Sequence, residues 1–358
     1  MSRFLLVDIG AGTMDVLCYD METDLHYKAV VKSPVRYVAE KAARLSGNLL
    51  VIGCEMGGGP ITEVLRDRTK RAEVVISVSA AATLHHNVQK VRSWNISVVE
   101  DDKAEELRQN KSYSLVTLAD LEPDRLKQIV EGFGVPLSFE AVAVCAQDHG
   151  IPPNGMSHLD FRHNMFRACL EEKPFPHALL YRDDEVPEMM NRLSSIAQTA
   201  RGLPADEIYV MDSGMAAILG ASMDIQARNR ECIFILDVAT SHTVGAAMIR
   251  DEIGGFFEYH TCDITLERLE SLLRDLGNGK LDHRQILEEG GHGAFIRKAI
   301  GFGNAEVIIA TGPKRRLIEK SSLPIVFGAP FGDNMMTGTV GLLEAVRRRK
   351  RLKSIVYL

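Results

Sequence analysis

The feature that most constrains this chain is a strand–aspartate–turn–strand pattern that occurs twice. The first copy, FLLVDIGAGTMDVLCYD, is an apolar run that ends at Asp8, followed by a short turn through Thr13 into a second run. The second copy, CIFILDVATSHTVGAAMIRD, begins at Cys232 and places Asp237 and Thr243 in the same layout. The alternation of apolar residues in the second runs predicts strands rather than helices. A chain of 358 residues also fits about two domains.

The glycines of the first turn allow three interpretations. A dinucleotide-binding fingerprint needs a third glycine and a helix immediately after it, whereas the strand-like run TMDVLCYD follows here. That interpretation is excluded. A phosphate-binding hairpin remains, because Gly10 and Gly12 let backbone amides approach an anion and Thr13 supplies a hydroxyl. Asp8 would then face a phosphate-bound magnesium ion through water. An ordinary glycine turn fits this stretch equally well.

The remainder of the chain alternates apolar strands with helical segments, which predicts an α/β fold with covered sheets. The net charge of −6 argues against a nucleic-acid partner bound through overall charge. Because no apolar run is long enough to span a bilayer and no signal peptide is evident, we expect a cytoplasmic protein without a membrane partner. The six cysteines are too scattered for a local zinc or iron–sulfur motif.

Five segments follow one another in a characteristic order. They are two polar turns, a strand with a glycine at its tip and two small-residue helices, at Asp8–Thr13, Asp212–Gly220, Asp237–Thr243, Ala310–Arg316 and Asp333–Val346. Together they resemble the phosphate loops, adenosine loop and connecting helices of the superfamily of sugar and acetate kinases, heat-shock chaperones and actin. The resemblance implies an α/β fold with two ribonuclease-H-like (actin-like ATPase) domains flanking a nucleotide cleft. ATP or ADP with Mg²⁺ is the cofactor that it implies.

The same resemblance implies a division of the chain. Residues 1–222 would form the first domain, with insertions and the first connecting helix. Residues 223–332 would form the second domain, which carries the second phosphate loop and the adenosine loop. Residues 333–358 would hold the second connecting helix and return to the first domain.

A narrower resemblance rests on phrases such as CEMGGGPIT, CAQDHG, MDSGMAAILGA, SHTVGAAMI and FGDNMMTG. They are similar to an uncharacterised family often labelled as related to pyruvate formate-lyase activating enzyme. That label implies a radical enzyme in which the three thiolates of a CxxxCxxC motif hold an iron–sulfur cluster. Because this sequence has no such triplet, we expect neither the cluster nor radical chemistry.

The superfamily resemblance also implies roles for residues in each loop. Asp8 and Asp237 would be the carboxylates beside Mg²⁺, acting through water. The implied cofactor contacts are Gly10, Gly12 and Thr13 in the first loop, Thr240, Ser241 and His242 in the second, and Gly312, Lys314 and Arg315 in the adenosine loop. The second loop departs from the family pattern, because residues 238–241 stand where glycines usually let the backbone approach phosphates.

We also expect a base or a water-positioning group besides Asp8 and Asp237. Asp148 and His149 follow the apolar strand FEAVAVCAQ, and we predict that they point into the cleft as further catalytic residues. The alternative is a strand-end turn in which these side chains serve as caps.

Three loop histidines, His242, His260 and His292, form another candidate set. Neutral imidazole ligates metals and acts as an acid or base near pH 7. No pair has a tight ligand spacing, however, which argues against a shared metal site. More often, such a histidine is a hydrogen-bonding residue.

Three further motifs have a functional and a structural interpretation. Gly57–Pro60 fits either an anion site at a helix start or a flexible link. The segment DFRHNMFR, which contains Arg162, is typical of an amphipathic helix surface, with an anionic-substrate pocket as the alternative. The basic run Arg347–Lys353 is typical of a solvated helix end that complements the helix dipole, with contact to nucleic acid or an acidic membrane as the alternative.

Three functions remain open at this point. The first is an ATP-dependent small-molecule kinase or ATPase, whose partners would be a nucleotide and a small-molecule substrate. The second is a non-catalytic binding protein on the same fold, because the second loop lacks glycines. The third is a metal-dependent hydrolase that uses His242, Glu258, His260 and His292.

Overall fold

A computed structural model describes residues 2–153 and 155–357 of the chain. The strands in chain order are β1 (Arg3–Ile9), β2 (Thr13–Asp20), β3 (Leu25–Lys32), β4 (Asn48–Gly53), β5 (Val74–Ser77), β6 (Ser97–Val99), β7 (Tyr113–Leu118), β8 (Phe139–Ala146), β9 (Leu180–Arg182), β10 (Ala205–Asp212), β11 (Cys232–Val238), β12 (His242–Ile249), β13 (Glu252–His260), β14 (Gly293–Ile296), β15 (Val307–Thr311) and β16 (Ile325–Phe327). The helices are α1 (Pro34–Arg44), α2 (Gly59–Arg68), α3 (Val78–Ala81), α4 (Val88–Arg92), α5 (Asp101–Leu107), α6 (Pro123–Gly132), α7 (His158–Glu172), α8 (Asn191–Ala200), α9 (Ser213–Ser222), α10 (Leu266–Gly277), α11 (His283–Glu288) and α12 (Thr337–Lys350).

Two of the sheets share one topology. The first has the order β3-β2-β1-β8-β10-β9, and the third has the order β14-β13-β12-β11-β15-β16. Five strands of each sheet correspond: three antiparallel strands, β3-β2-β1 or β13-β12-β11, are followed by two parallel ones, β8-β10 or β15-β16. β1 thus corresponds to β11 and β8 to β15, and the antiparallel strands β9 and β14 are additions at opposite edges. The shared five-strand order is that of a ribonuclease-H-like domain. The chain therefore has the expected fold class, with two ribonuclease-H-like units. In each unit the central strand, β1 or β11, is the first strand of a hairpin.

The central strands read as continuous apolar runs because both of their faces are covered. Phe4, Leu5, Leu6 and Val7 in β1 are fully buried, as expected for a strand between parallel and antiparallel neighbours inside a sandwich of layers. Asp8 and Asp237, the second-last residues of β1 and β11, therefore lie at the carboxyl ends of these central strands.

An additional sheet is inserted between β3 and β8. Its order is β6-β5-β4-β7, and all of its pairings are parallel. Its strands and helices have a separate apolar core that includes Val51, Ile61 and Ile76. The loop that follows β4 carries Gly57, Gly58 and Gly59 toward the hairpins and is called the three-glycine loop below. This unit accounts for the strand–helix alternation in the first third of the sequence.

The small-residue helices α9 and α12 cross in direct backbone contact. A Cβ on Gly220 would lie 1.8 Å from the Thr337 carbonyl oxygen, and a Cβ on Gly341 would lie 1.8 Å from the Ala216 carbonyl oxygen. α12 packs on β1 and β8 of the first sheet, whereas α9 packs on β11 of the third. The crossing therefore fixes the position of one sheet relative to the other.

The basic end of α12 is engaged in ion pairs, contrary to the expectation of a solvated helix end. Arg348 lies 3.0 Å from Asp251, which follows β12, and Lys350 lies 3.1 Å from Glu140 in β8. Acidic side chains of both repeated units thus bind this run, because the helix passes between them. In the described part of the chain, no helix is long and apolar enough to cross a membrane.

Candidate functional site

A cleft of about 610 Å³ lies between the two hairpins, the three-glycine loop and the amino-terminal ends of α9 and α12. Small-molecule sites usually occupy about 300–1,000 Å³. The cleft is therefore large enough for a nucleotide-sized ligand.

The two hairpin turns are built alike. The Gly10 N–H donates to the Thr13 carbonyl over 3.0 Å, and the Ala239 N–H donates to the His242 carbonyl over 3.1 Å. His242 thus occupies the position of Thr13, so the equivalence of Thr13 with Thr243 taken from the sequence is wrong by one residue. Thr243 is fully buried and contacts another threonine hydroxyl. Apolar alternation fixes which face a residue takes but does not fix the length of a turn, which explains the error.

The turns approach each other across the cleft. A Cβ on Gly12 would lie 3.0 Å from the Thr240 hydroxyl oxygen, so a side chain at this position would require the Thr240 side chain to shift. The Thr240 side chain fills space that a glycine in the second turn would leave open. Gly10, Thr13 and Ser241 line the same cleft.

Three carboxyl groups, those of Asp8, Asp15 and Asp237, face this cleft and are buried or nearly so. Burial, together with the charge of Asp237, raises the pKa of Asp8 to about 7. Burial and the charge of Asp8 raise the pKa of Asp15 to about 8, and burial raises the pKa of Asp237 to about 6. Because like charges in low dielectric oppose ionisation, a bound cation would favour all three carboxylates.

Asp15 is a site residue that sequence reasoning missed. It pairs directly with Asp8 across β1 and β2, and its Oδ1 is buried without a hydrogen-bond partner among the described residues. The signal was present, because the tight turn at Gly10 places residues 8 and 15 opposite each other. The second hairpin has Val244 at the corresponding position opposite Asp237.

The segment Ala310–Arg316, predicted as an adenosine loop, is attached to the second hairpin by its backbone. Gly312 has φ +87°, and a Cβ there would lie 2.5 Å from the Val238 carbonyl oxygen, so this position requires glycine. The Lys314 N–H donates to the same carbonyl over 2.9 Å. Gly312 lines the cleft, whereas Lys314 is exposed and Arg315 donates to the Gly328 carbonyl over 2.7 Å. The structure thus turns the predicted contact Arg315 away from the cleft.

Asp148 and His149 both line the cleft, but the Asp148 side chain is held by backbone hydrogen bonds. The Asp148 carboxylate accepts the Gly150 N–H over 2.8 Å and the Leu193 N–H over 2.9 Å. This is the capping arrangement considered as the alternative. Burial, followed by the charge of Arg162, lowers the pKa of His149 to about 3. At neutral pH, His149 therefore presents an uncharged imidazole to the cleft.

The three loop histidines converge, which their spacing in the sequence left open. His242 begins β12 and pairs directly with His260 at the end of β13. His292 lies immediately before β14, and its N–H donates to the Glu258 carbonyl over 2.8 Å. Sheet pairing thus brings together residues that are separated in sequence. Burial lowers the pKa of His242 to about 4.

Arg162 is buried in an ion network and does not lie on a solvated helix surface. Its guanidinium lies 2.8 Å from Asp212, which caps α9, and also binds Glu258 of β13. Burial raises the pKa of Glu258, but Arg162 and His292 outweigh that effect and hold it well below its ordinary value. The network connects α7 and β10 with the third sheet, and the pattern of DFRHNMFR did not predict it.

The three-glycine loop forms a packed wall of the cleft. The Gly57 N–H donates to Asp120 over 3.2 Å, and a Cβ on Gly58 would lie 2.1 Å from the Thr83 carbonyl oxygen. Beside it, His86 Nε2 lies 2.9 Å from Glu55 Oε1. This wall is polar and faces the hairpins.

The family profile described as "Putative pyruvate format-lyase activating enzyme (DUF1786)" matches residues 56–317. The chain belongs to this family. The match confirms the narrower resemblance seen in the sequence, although the two ribonuclease-H-like units are not the fold that the family's label suggests. The search of curated proteins gave no match.

Solved structures of similar fold include a ROK hexokinase from Thermus thermophilus, at 11% identity and a TM-score of 0.33, covering 98% of this chain and 99% of that one. A protein of actin-like ATPase fold and unknown function from Bacteroides thetaiotaomicron has 10% identity and a TM-score of 0.35, covering 91% and 90%. A ROK family glucokinase from Streptomyces griseus, solved with glucose and AMPPNP, has 10% identity and a TM-score of 0.35, covering 97% and 100%. The fold assignment rests on the strand order itself.

Proposed function

We propose that this protein binds Mg²⁺–ATP or Mg²⁺–ADP in the cleft and transfers the terminal phosphoryl group to a small polar acceptor or to water. The observation that carries the proposal is the pair of equivalent hairpins, which bring Asp8 and Asp237 to one cleft. Phosphoryl transfer depends mainly on positioning and on neutralising charge around the phosphates. Paired turns with carboxylates at their bases suit that task.

The residues present suit a magnesium ion. Asp8, Asp15 and Asp237 offer oxygen ligands, and Asp15 Oδ1 has no partner in the described chain. Mg²⁺ prefers oxygen ligands and retains several waters, so carboxylates need not contact it directly. When bound, the ion would neutralise charge on the phosphate oxygens.

The chain's own groups would orient the nucleotide. Gly10 and Gly12 let the first turn approach a phosphate, while the hydroxyls of Thr13, Thr240 and Ser241 supply donors. Gly312 and Pro313 line the part of the cleft beside the second hairpin, where the base and ribose would lie. Lys314 and Arg315 have no role in this proposal, because neither residue lines the cleft and Arg315 donates to the Gly328 carbonyl.

The acceptor would lie against the opposite wall, which holds Glu55, His86 and His158. These groups suit a molecule that offers hydroxyls as hydrogen-bond donors and acceptors. His149 is the remaining candidate for an acid or base, since Asp148 is engaged by two backbone N–H groups. We assign Asp148 to holding the turn that carries His149.

Substitution of the two carboxylates tests the proposal. Wild-type protein should bind Mg²⁺–ATP saturably in calorimetry, and Asp8→Asn and Asp237→Asn should lower turnover by about 10²-fold or more, the scale of a lost electrostatic contact in a transition state. Asp20→Asn, at the far end of β2, is the matched control and should retain both properties. Undiminished turnover in Asp8→Asn would contradict the role assigned to it.

A non-catalytic nucleotide-binding protein is the second candidate, favoured by the Thr240 side chain against Gly12. It predicts Mg²⁺–ATP binding without phosphate release above the buffer rate. Thr240→Gly distinguishes the two functions, because removing this side chain leaves more room for phosphates between the turns. A gain of turnover from zero would identify the wild type as a binder, whereas turnover already present in the wild type would exclude this candidate.

A further inference from the structure

The geometry of the histidine cluster, defined as His242, His260 and His292, goes beyond nucleotide binding. The ring centroids are 4.8 Å apart for His242 and His260, 4.5 Å for His242 and His292, and 4.4 Å for His260 and His292. The rings are tilted or edge-on, with interplanar angles of 36° to 86°. They are therefore not stacked faces of a packed core, and their nitrogen edges meet.

The nitrogen atoms lie near the separations that a metal requires. The Nε2 atoms of His260 and His292 are 3.0 Å apart, and one nitrogen from each of the three rings fits within a span of 4.8 Å. Two nitrogens bound tetrahedrally to zinc at about 2.0–2.1 Å would be about 3.3 Å apart. Small rotations of side chains would bring all three to that distance.

Hydrogen bonding accounts for only part of the cluster, because the Nε2 atoms of His260 and His292 share a hydrogen bond. Within the described residues, His242 Nε2 and His292 Nδ1 are buried and have no hydrogen-bond partner. A buried polar atom left without a partner destabilises the folded protein. A metal ion at the centre would satisfy His242 Nε2 and take the place of the hydrogen bond between His260 and His292, while His292 Nδ1 faces Glu258.

A carboxylate lies near the second ring nitrogen of one of the histidines. Glu258 Oε1 lies 3.5 Å from His292 Nδ1, on the side opposite to the His260 contact. Gln147 and Arg162 donate to the Glu258 carboxylate and hold it in place. Metal-binding histidines usually have such a carboxylate at the second ring nitrogen, where it orients the ring and raises its basicity.

The cluster borders the cleft, where a fourth ligand position would be open. His242 and Glu258 line the cleft, and the ring of His149 lies 5.6 Å from that of His292. Three protein ligands with one position open to water or substrate is the usual arrangement of a catalytic zinc site, whereas structural sites close with four protein ligands.

We propose that His242, His260 and His292 bind one transition-metal ion of the Zn²⁺ class, with its fourth position open to the cleft. Imidazole suits Zn²⁺, Co²⁺, Ni²⁺ and Cu²⁺, whereas Mg²⁺ takes oxygen ligands. The site is thus chemically distinct from the carboxylates Asp8, Asp15 and Asp237, and it does not depend on the nucleotide. The bound ion would present a water or a substrate oxygen to the same cleft.

Titration of metal-free protein with Co²⁺, without nucleotide, tests the site. We expect one equivalent to bind with visible absorption bands of a tetrahedral ion, to be displaced by Zn²⁺, and to resist excess Mg²⁺. His260→Gln and His292→Gln should abolish the bands. Glu258→Gln should weaken binding by about 10–100-fold, the usual effect of losing an outer carboxylate.

Two controls separate this site from folding and from the nucleotide site. His26→Gln removes a histidine that stacks on Phe331 away from the cluster and should leave Co²⁺ uptake intact, as should Asp8→Asn. Thermal unfolding of the metal-free variants shows whether they are folded. If His292→Gln fails to fold, Co²⁺ uptake by His260→Gln provides the test, because residue 260 is less buried. Absence of stoichiometric uptake by the wild type, or full uptake by folded His260→Gln, would overturn the proposal.

Discussion

At the scale of single residues, the cleft places carboxyl groups of neighbouring strands close together in buried positions. Asp15 faces Asp8 across one strand pair, and its Oδ1 has no partner in the part of the chain that the structure describes. Burial and the neighbouring carboxylate raise the pKa of Asp15 to about 8. Such a residue lowers the stability of the ligand-free protein, and residues of this kind are common at functional sites.

Asp15→Asn should stabilise the protein in a chelating buffer, and the gain should grow with pH. The folded protein keeps the proton up to about pH 8, whereas the unfolded chain releases it near pH 4. Stability of the wild type therefore falls between these values, by up to about 1.4 kcal/mol per pH unit. Urea unfolding of both proteins at several pH values measures the difference.

Asp20→Asn, on the same strand, is the control. The contribution of Asp20 to stability should depend on pH in the opposite direction. Burial raises the pKa of Asp20, but backbone N–H groups of Thr23 and Glu22 and the Arg3 guanidinium lower it by more. Its contribution to stability is therefore present at neutral pH and is lost in acid, as pH falls through the lowered pKa. A pH-independent effect of Asp15→Asn would contradict the raised pKa.

At the scale of elements, the crossing of α9 and α12 depends on the absence of side chains. Gly341→Ala would place a Cβ 1.8 Å from the Ala216 carbonyl oxygen, which only separation of the helices can relieve. We expect a loss of about 3 kcal/mol or more, at the upper end of overpacking effects. The free energy of unfolding in urea is the measurement.

The matched control is Gly132→Ala at the end of α6. A Cβ there meets nothing within 4 Å, and alanine favours helix over glycine by about 1 kcal/mol. This variant should be neutral or slightly more stable. Equal effects of the two substitutions would show that helix propensity, and not the contact between backbones, governs both positions.

At the scale of the whole molecule, Arg162 connects the two repeated units. It binds Asp212 at the start of α9 and Glu258 in the third sheet, and both carboxylates are buried. Arg162→Met would leave two buried carboxylates without their cation, and breaking a buried pair in this way costs about 3–5 kcal/mol. Equilibrium unfolding measures the loss.

Arg182→Met provides the comparison for that prediction. Arg182 pairs with Asp184 on the surface, where solvent screens the interaction, and its substitution should change stability very little. If Arg162→Met behaved like Arg182→Met, the network would not connect the units in the way described.

Much of the fold follows from local pattern, because apolar alternation and small residues act over a few positions. The hairpin strands β1, β2, β11 and β12 were predicted in this way, as were the two small-residue helices. The second turn was predicted with an error of one residue, since its alignment used Thr243 where the backbone places His242. The insertion sheet was visible only as alternating strands and helices, without its pairing.

The site could be predicted only in part. Gly12 and Gly312 could be named as candidates because glycine marks places where the chain can be approached closely, which is a local property; their neighbours are the Thr240 side chain and the Val238 carbonyl. Arg315 was misplaced because the direction of a long side chain depends on its neighbours, here the Gly328 carbonyl. Asp148 was placed correctly at the strand end, but the two N–H groups that engage it come from the tertiary fold.

The sequence by itself determined the two hairpins, their aspartates and the helices that cross, because each depends on residues close together in the chain. Only the tertiary structure decided which side chains share a site. His260 and His292 are 32 residues apart, yet their Nε2 atoms are 3.0 Å apart. No spacing rule predicts that contact, because it depends on which strands pair and on the register in which they do so.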